Sequence, residues 1–138
     1  MVEFKTTEES FKYLESFTNF EKIQANIREF RLDRMKFLLE LLNHPEKNYK
    51  IIHVAGSKGK GSTSMFLAKG LEGCGFKTGL YLSPHLIDYR ERISRSGKFY
   101  KNKIYINTIE KIRNRLSTLK ASDFPLKANP TTFELLTL

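Results

Sequence analysis

The sequence predicts an α/β fold, a P-loop nucleotide-binding domain whose parallel sheet is flanked by helices. Three observations carry that expectation. A β-branched run, Ile51 to Ala55, leads directly into a glycine-rich stretch from Gly56 to Gly61. Helical character returns from Ser62 to Leu71, and Lys77 to Leu82 again reads as a strand. Strand, glycine loop, helix and strand in that order make a βαβ unit, which joins parallel strands through a right-handed crossover.

Two helices are expected ahead of this unit, within residues 1–48. Thr6-x-x-Glu9 has capping-box spacing, and Phe11, Leu14 and Phe17 follow on one helical face. Leu32, Met35, Leu38, Leu39 and Leu42 recur at intervals of three and four, and Asn43-His44-Pro45 ends that pattern. The βαβ unit occupies 49–82, with Gly73 and Gly75 stopping its helix. Residues 83–106 read as an irregular region with short strands near Arg92–Ser94 and Ile104–Ile106, joined by a turn at Ser96-Gly97-Lys98. Residues 107–138 read as helical. Asn107-x-x-Glu110 offers a capping start for a helix carrying Ile109, Ile112, Leu116 and Leu119, and Thr131 to Leu138 opens another.

Composition narrows the class. A chain of 138 residues suits one domain, and 40% hydrophobic with 12% aromatic residues supplies a core rather than a disordered polymer. No repeat or low-complexity run interrupts it. The apolar stretches fall short of the roughly 18 residues a membrane span needs, and MVEFKTTEES lacks the basic-then-apolar layout of a secretory leader. These features predict a cytoplasmic protein without a membrane partner. The single Cys74 has no disulfide partner and no neighbour at metal-ligand spacing, so it reads as a small apolar residue in a reducing compartment. The net charge of +9, from 24 Lys and Arg against 15 Asp and Glu, suits phosphorylated metabolites and other polyanions, and equally a solvated basic surface. Lys and Arg are scattered and form no single stripe.

The chemistry concentrates in Gly56-Ser57-Lys58-Gly59-Lys60-Gly61-Ser62-Thr63. Binding an anion needs several backbone N–H groups converging on one small space, and glycines let the chain wrap a phosphate without Cβ clashes. A helix opening at this point adds its positive end on the side of Lys60, which would reach the terminal phosphates of ATP. The strict pattern G-x-x-x-x-G-K-[ST] is not met, because Val54 stands six positions before Lys60 and Gly61 separates Lys60 from Ser62. Two other readings share these residues. One is a lysine-bearing surface connection. The other is the GXXG loop with which KH domains clamp single-stranded RNA, for which Gly56-Ser57-Lys58-Gly59 fits; that loop should join two helices, whereas a strand is expected before Gly56.

IIHVAGSKGKGST, YLSPHL, ERIS and TTFELLT, in this order and spacing, resemble the folylpolyglutamate synthase/dihydrofolate synthase family of the Mur ligase superfamily. The resemblance runs from about residue 32 to the end, while residues 1–31 agree with it only as a helix followed by a loop. It implies an incomplete Mur-ligase-like central domain, the amino-terminal part of an ATP-binding domain, with the carboxy-terminal domain absent. The family's loop has its first glycine four positions before the lysine, as Gly56 and Lys60 have here. Ser57-Lys58 replaces the usual Thr-Asn, which leaves the side-chain contact at Lys58 open.

The resemblance also implies roles for individual residues. Ser83 in Ser83-Pro84-His85-Leu86 matches a serine that ligates Mg²⁺, in a loop that approaches the pterin-bearing substrate. Pro84, His85 and Leu86 are therefore candidate substrate contacts, together with Arg92 for a substrate carboxylate. Glu134 matches a carboxylate metal ligand, and Ser62 is an alternative hydroxyl ligand, donors that suit a hard cation. Without the resemblance, Glu134 is a solvated helix residue, His85 a turn histidine, His53 a packed strand residue, and Arg90-Glu91-Arg92 a solvated ionic run.

The implied reaction is ATP-dependent ligation of L-glutamate to dihydropteroate or a folate that already carries glutamate. The substrate carboxylate attacks the γ-phosphate to give an acyl phosphate and ADP, and the amine of glutamate then displaces phosphate to leave an amide. Lys60, the loop amides and Mg²⁺ would position and neutralise the phosphates. No nucleic-acid partner is expected. Members of the family are longer, so an isolated 138-residue chain is expected to have little or no ligase activity; a truncated nucleotide-binding module without catalysis is the alternative.

Overall fold

A computed structural model describes residues 3–18 and 32–138. The loop expected within 1–31 falls for the most part at 19–31, outside the described residues. The chain divides into two compact units, one formed by residues 1–50 with 102–138 and the other by residues 51–101.

The first unit is helical. Helix α1, Thr7–Glu15, starts at the expected cap: the Thr6 hydroxyl accepts from the Glu9 N–H at 3.1 Å, while the Glu9 carboxylate accepts from the Lys5 N–H at 2.8 Å and not from the Thr6 N–H that a full capping box uses. Helix α2, Asp33–Leu41, ends with Asn43 and His44 in the left-handed region, so that the His44 and Asn43 N–H groups cap the Leu39 and Glu40 carbonyls. Helix α4, Asn102–Leu116, buries Tyr105, Ile109, Ile112 and Leu116 against α1, where Phe11 lies 5.7 Å from the Tyr105 ring. Helix α5, Thr132–Thr137, is fixed to the end of α1 by the Thr132 hydroxyl, which donates to the Leu14 and Phe17 carbonyls at 3.0 Å. Leu14, Leu38 and Leu135 are the deepest apolar side chains of this unit.

Two sequence expectations fail here. The strand near Ile104–Ile106 does not form, and Asn107 starts no helix. Both lie inside α4, which begins at Asn102. The alternation at 104–106 is also compatible with the helical face that Tyr105, Ile109 and Ile112 continue, and three residues are too few to separate a period of 2 from one of 3.6.

In the second unit, helix α3 spans Lys60–Gly73, and Gly75 at φ +87° closes it. The Phe76 N–H bonds the Leu71 carbonyl and the Gly75 N–H bonds the Glu72 carbonyl, a paired C-cap that a left-handed glycine makes possible. Strand β1, Gly79–Tyr81, pairs antiparallel with β2, Ile93–Arg95, in the register Gly79 to Arg95 and Leu80 to Ser94. The expected turn at Ser96-Gly97 is present, both residues having positive φ.

The strand expected at Ile51–Ala55 is not formed, and no parallel pair of strands occurs among the described residues. A β-branched run becomes a strand only when a neighbour takes up its backbone N–H and C=O groups. No described segment pairs with it, and Ile51 and Ile52 remain exposed.

Candidate functional site

The glycine loop runs from Gly56 into α3, and Gly59 is the turning point. Its φ of +74° lies in the left-handed region, where a side chain would be strained. No side chain caps α3, and its first turn carries no acidic residue. The earliest bond of this helix is from the Thr63 N–H to the Gly59 carbonyl at 2.9 Å. The N–H groups of Lys60, Gly61 and Ser62 therefore open outward at the positive end of the helix. The Lys60 ammonium folds back over the loop and donates to the Gly56 carbonyl at 2.9 Å, remaining exposed. Ser57, Lys58 and Thr63 are exposed on the same segment. The GXXG alternative requires a helix before the loop, and residues 51–56 have no helical structure.

Beyond β1, the Leu82 N–H bonds the Arg92 carbonyl at 2.9 Å and closes the base of a turn. Ser83 and Pro84, joined by a cis peptide bond, are exposed, as is Leu86. His85 stacks on Tyr89 with centroids 4.0 Å apart, and its Nδ1 accepts from Arg92 Nε at 2.7 Å. Its neutral form then carries the ring proton on Nε2. Arg92 is only 3% exposed, so its guanidinium is packed against His85 and Tyr89 instead of standing in a solvated ionic run.

Two residues of this turn were not singled out from the sequence. The Glu91 carboxylate accepts from the N–H groups of Leu86, Ile87 and Asp88 at 2.8, 3.1 and 2.8 Å, and these bonds hold its pKa below the usual carboxylate range. Asp88 accepts Arg90 Nε on both oxygens at 3.0 Å, and that bond lowers its pKa in the same way. The Asp88-x-x-Glu91 spacing is itself a capping box, a signal legible in the sequence.

Glu134 lies in the helical unit, at the third position of α5. Its Oε2 accepts from the Thr131 N–H at 2.7 Å and the Thr131 hydroxyl at 2.9 Å, and Arg34 Nε reaches Oε1 and Oε2 at 3.2 and 3.1 Å. It is thus a helix cap and half of an ion pair between α2 and α5, and not a solvated helix residue. Arg34 is one hundred positions away in the chain, so no local spacing announces it. His53 is exposed and unpaired with any strand, which removes the packed-strand reading.

Metal chemistry can be judged from the donors. The Ser62 and Ser83 hydroxyls are exposed and make no hydrogen bond among the described residues, and Oε1 of Glu134 has Arg34 as its one partner. Hydroxyls and a carboxylate with spare acceptor capacity are the oxygen donors a hard cation takes. Among the described residues, no three His, Cys, Asp or Glu side chains form a self-contained metal cluster.

The fold class is that of a Mur-type ligase, as comparison with solved structures shows. Folylpolyglutamate synthetase from Lactobacillus casei superimposes with a TM-score of 0.76 at 30% identity, covering 96% of this chain and 31% of that one. The enzyme from Thermotoga maritima gives 0.77 at 27% identity, covering 95% and 28%. Among curated proteins, a Bacillus subtilis dihydrofolate synthase/folylpolyglutamate synthase is 35% identical over 106 residues, 77% of this chain and 24% of its own length. The mitochondrial folylpolyglutamate synthase of Cricetulus griseus is 37% identical over 115 residues, 83% and 19%. The chain is a homologue of the folylpolyglutamate and dihydrofolate synthases, and it spans about a quarter of the length of the first of these relatives. No family model matches it. No helix among the described residues is long and apolar enough to cross a membrane.

Proposed function

We propose that this chain supplies the ATP-gripping wall of a ligase that joins L-glutamate to dihydropteroate or folylpolyglutamate through an acyl phosphate. The observation that carries the reading is the start of α3. A left-handed Gly59, a first turn free of acid and side-chain caps, and Lys60 above it form a cradle for polyphosphate. Homology supports the same reading, since one solved relative is a folylpolyglutamate synthase complex with AMPPCP and folate.

In this reading Lys60 exchanges the Gly56 carbonyl for the terminal phosphates, and the amides of 60–62 take phosphate oxygens. Ser57, Lys58 and Thr63 line the entrance. Ser62, Ser83 and Glu134 are the residues that would hold Mg²⁺, which when bound neutralises charge on the phosphates. Pro84, His85 and Leu86 face the pterin-bearing substrate, with His85 offering its Nε2–H and Arg92 fixing the ring. The carboxylate of that substrate attacks the γ-phosphate, ADP departs, and the glutamate amine displaces phosphate. Ile51–Ala55 becomes a parallel strand where a neighbouring strand is supplied. The protein is proposed to act in the cytoplasm, and the 138-residue chain by itself to bind ATP with little ligation.

Calorimetric titration of the 138-residue chain with Mg-ATP tests the site. Lys60→Ala is expected to weaken binding by about ten- to a hundredfold, the loss of a charge-assisted contact. An unchanged titration would overturn the assignment.

A further inference from the structure

We propose that Glu91 is a positioning residue, whose carboxylate gathers the backbone N–H groups of Leu86, Ile87 and Asp88 and so fixes the turn that presents Ser83-Pro84-His85-Leu86 to the substrate. The inference rests on the function proposed above and assigns a role to a side chain whose carboxylate is taken up by backbone N–H groups.

Burial of Leu86 and Ile87 does not order this turn. Leu86 and Ile87 are 90% and 92% exposed, so they contribute almost no buried area. The ladder of β1 and β2 ends at the bond from the Leu82 N–H to the Arg92 carbonyl. Between Ser83 and Asp88, the Glu91 carboxylate takes three main-chain N–H groups, those of Leu86, Ile87 and Asp88, at 2.8, 3.1 and 2.8 Å, beside one backbone bond from the Glu91 N–H to the Asp88 carbonyl at 2.9 Å. Three donors on one anion are stronger than neutral bonds, and they leave the carboxylate little capacity for other work.

The adjacent residue completes the clamp. Arg92 donates to His85 Nδ1 at 2.7 Å, so positions 91 and 92 hold the main chain and the imidazole of the same turn, respectively. The lowered pKa of Glu91 is in keeping with a carboxylate that stays ionised for this purpose.

The test is ¹H–¹⁵N NMR on the 138-residue chain, with Glu91→Gln and Glu91→Ala beside the wild type and AMPPCP and folate as probes. Gln keeps the volume and one acceptor oxygen, so it remains informative if Ala disturbs folding. The amides of Leu86, Ile87 and Asp88 are expected to exchange about tenfold faster in both variants. Folate affinity should fall about tenfold while AMPPCP affinity stays within about twofold, a split that general loss of structure would not produce. Wild-type folate affinity in both variants despite faster exchange overturns the positioning role alone. A parallel fall in AMPPCP affinity overturns it too, by marking a structural role. Absence of folate-induced shifts at 83–92 in the wild type overturns the functional reading and the positioning role together.

Discussion

The two units of this chain are built on different principles. In the helical unit, Phe11, Leu14, Leu38, Ile109, Ile112, Leu116, Leu135 and Leu136 are buried, and polar side chains mostly cap helix ends. In residues 51–101 the buried apolar side chains among those described are Ala68 and Leu80, while Ile51, Ile52, Phe66, Phe76, Leu86 and Ile87 are exposed. There, charge-assisted bonds to Glu91, Asp88 and Arg92 set the shape of the 83–92 turn. Hydrophobic burial stabilises one unit, and capped turns and polar clamps order the candidate site in the other.

The same contrast appears at helix starts. Helix α5 opens on a full capping box in which Thr131 and Glu134 satisfy each other. Helix α3 opens on a bare glycine. A capped start closes off the orphan N–H groups, whereas an uncapped start leaves them for a ligand.

The largest expected effect is in the helical core. Leu38 is 0% exposed, so Leu38→Ala should cost about 3 kcal/mol through lost burial and a residual cavity. Urea unfolding measures this, and a loss under about 1 kcal/mol would show that burial does not govern this unit.

A smaller and more local effect is expected on acidification. Asp88 and Glu91 both have lowered pKa values, from the Arg90 side chain and from the Leu86 amide respectively. A carboxylate whose folded pKa is depressed stabilises the fold above its unfolded pKa and loses that contribution as pH falls through the folded value. Arg90 and His85 are the charged or titratable groups that face these carboxylates. Amide protection at 86–88 should therefore be complete above about pH 5 and disappear progressively below about pH 4. Protection unchanged down to pH 2 would break the idea that ionised carboxylates hold the turn.

Much of the first unit was legible in the sequence because helical periodicity and capping are local. Thr6-x-x-Glu9, the 109–112–116 stripe and the Asn43-His44-Pro45 stop all have counterparts in the structure. The start of α4 was misplaced because Asn107-x-x-Glu110 imitates a cap inside a longer helix. The glycine turn that opens onto α3 was legible because it lies in eight consecutive residues. Ile51–Ala55 failed as a strand because pairing is not a local property, and the Arg34 partner of Glu134 was hidden by one hundred intervening positions. Glu91 could have been found from its spacing to Asp88, yet alternating charge at 90–92 suggested only a solvated surface.

The smallest expected effect sharpens the contrast most. Phe66 projects from α3 with 76% of its surface exposed, although by residue type it belongs in a core. Were burial the main support of residues 51–101, replacing an aromatic there would cost several kcal/mol, as it does in packed interiors. Since the ring is already in water, Phe66→Ser should change unfolding free energy by no more than about 0.5 kcal/mol. The slightly poorer helix propensity of Ser acts in the same small range as the relief of exposed apolar surface, and the two oppose each other. Urea unfolding of this variant beside Leu38→Ala gives the comparison directly. A loss above about 2 kcal/mol at Phe66 would mean that the ring has a partner in solution, and that residues 51–101 owe more to apolar contact than to their capped turns.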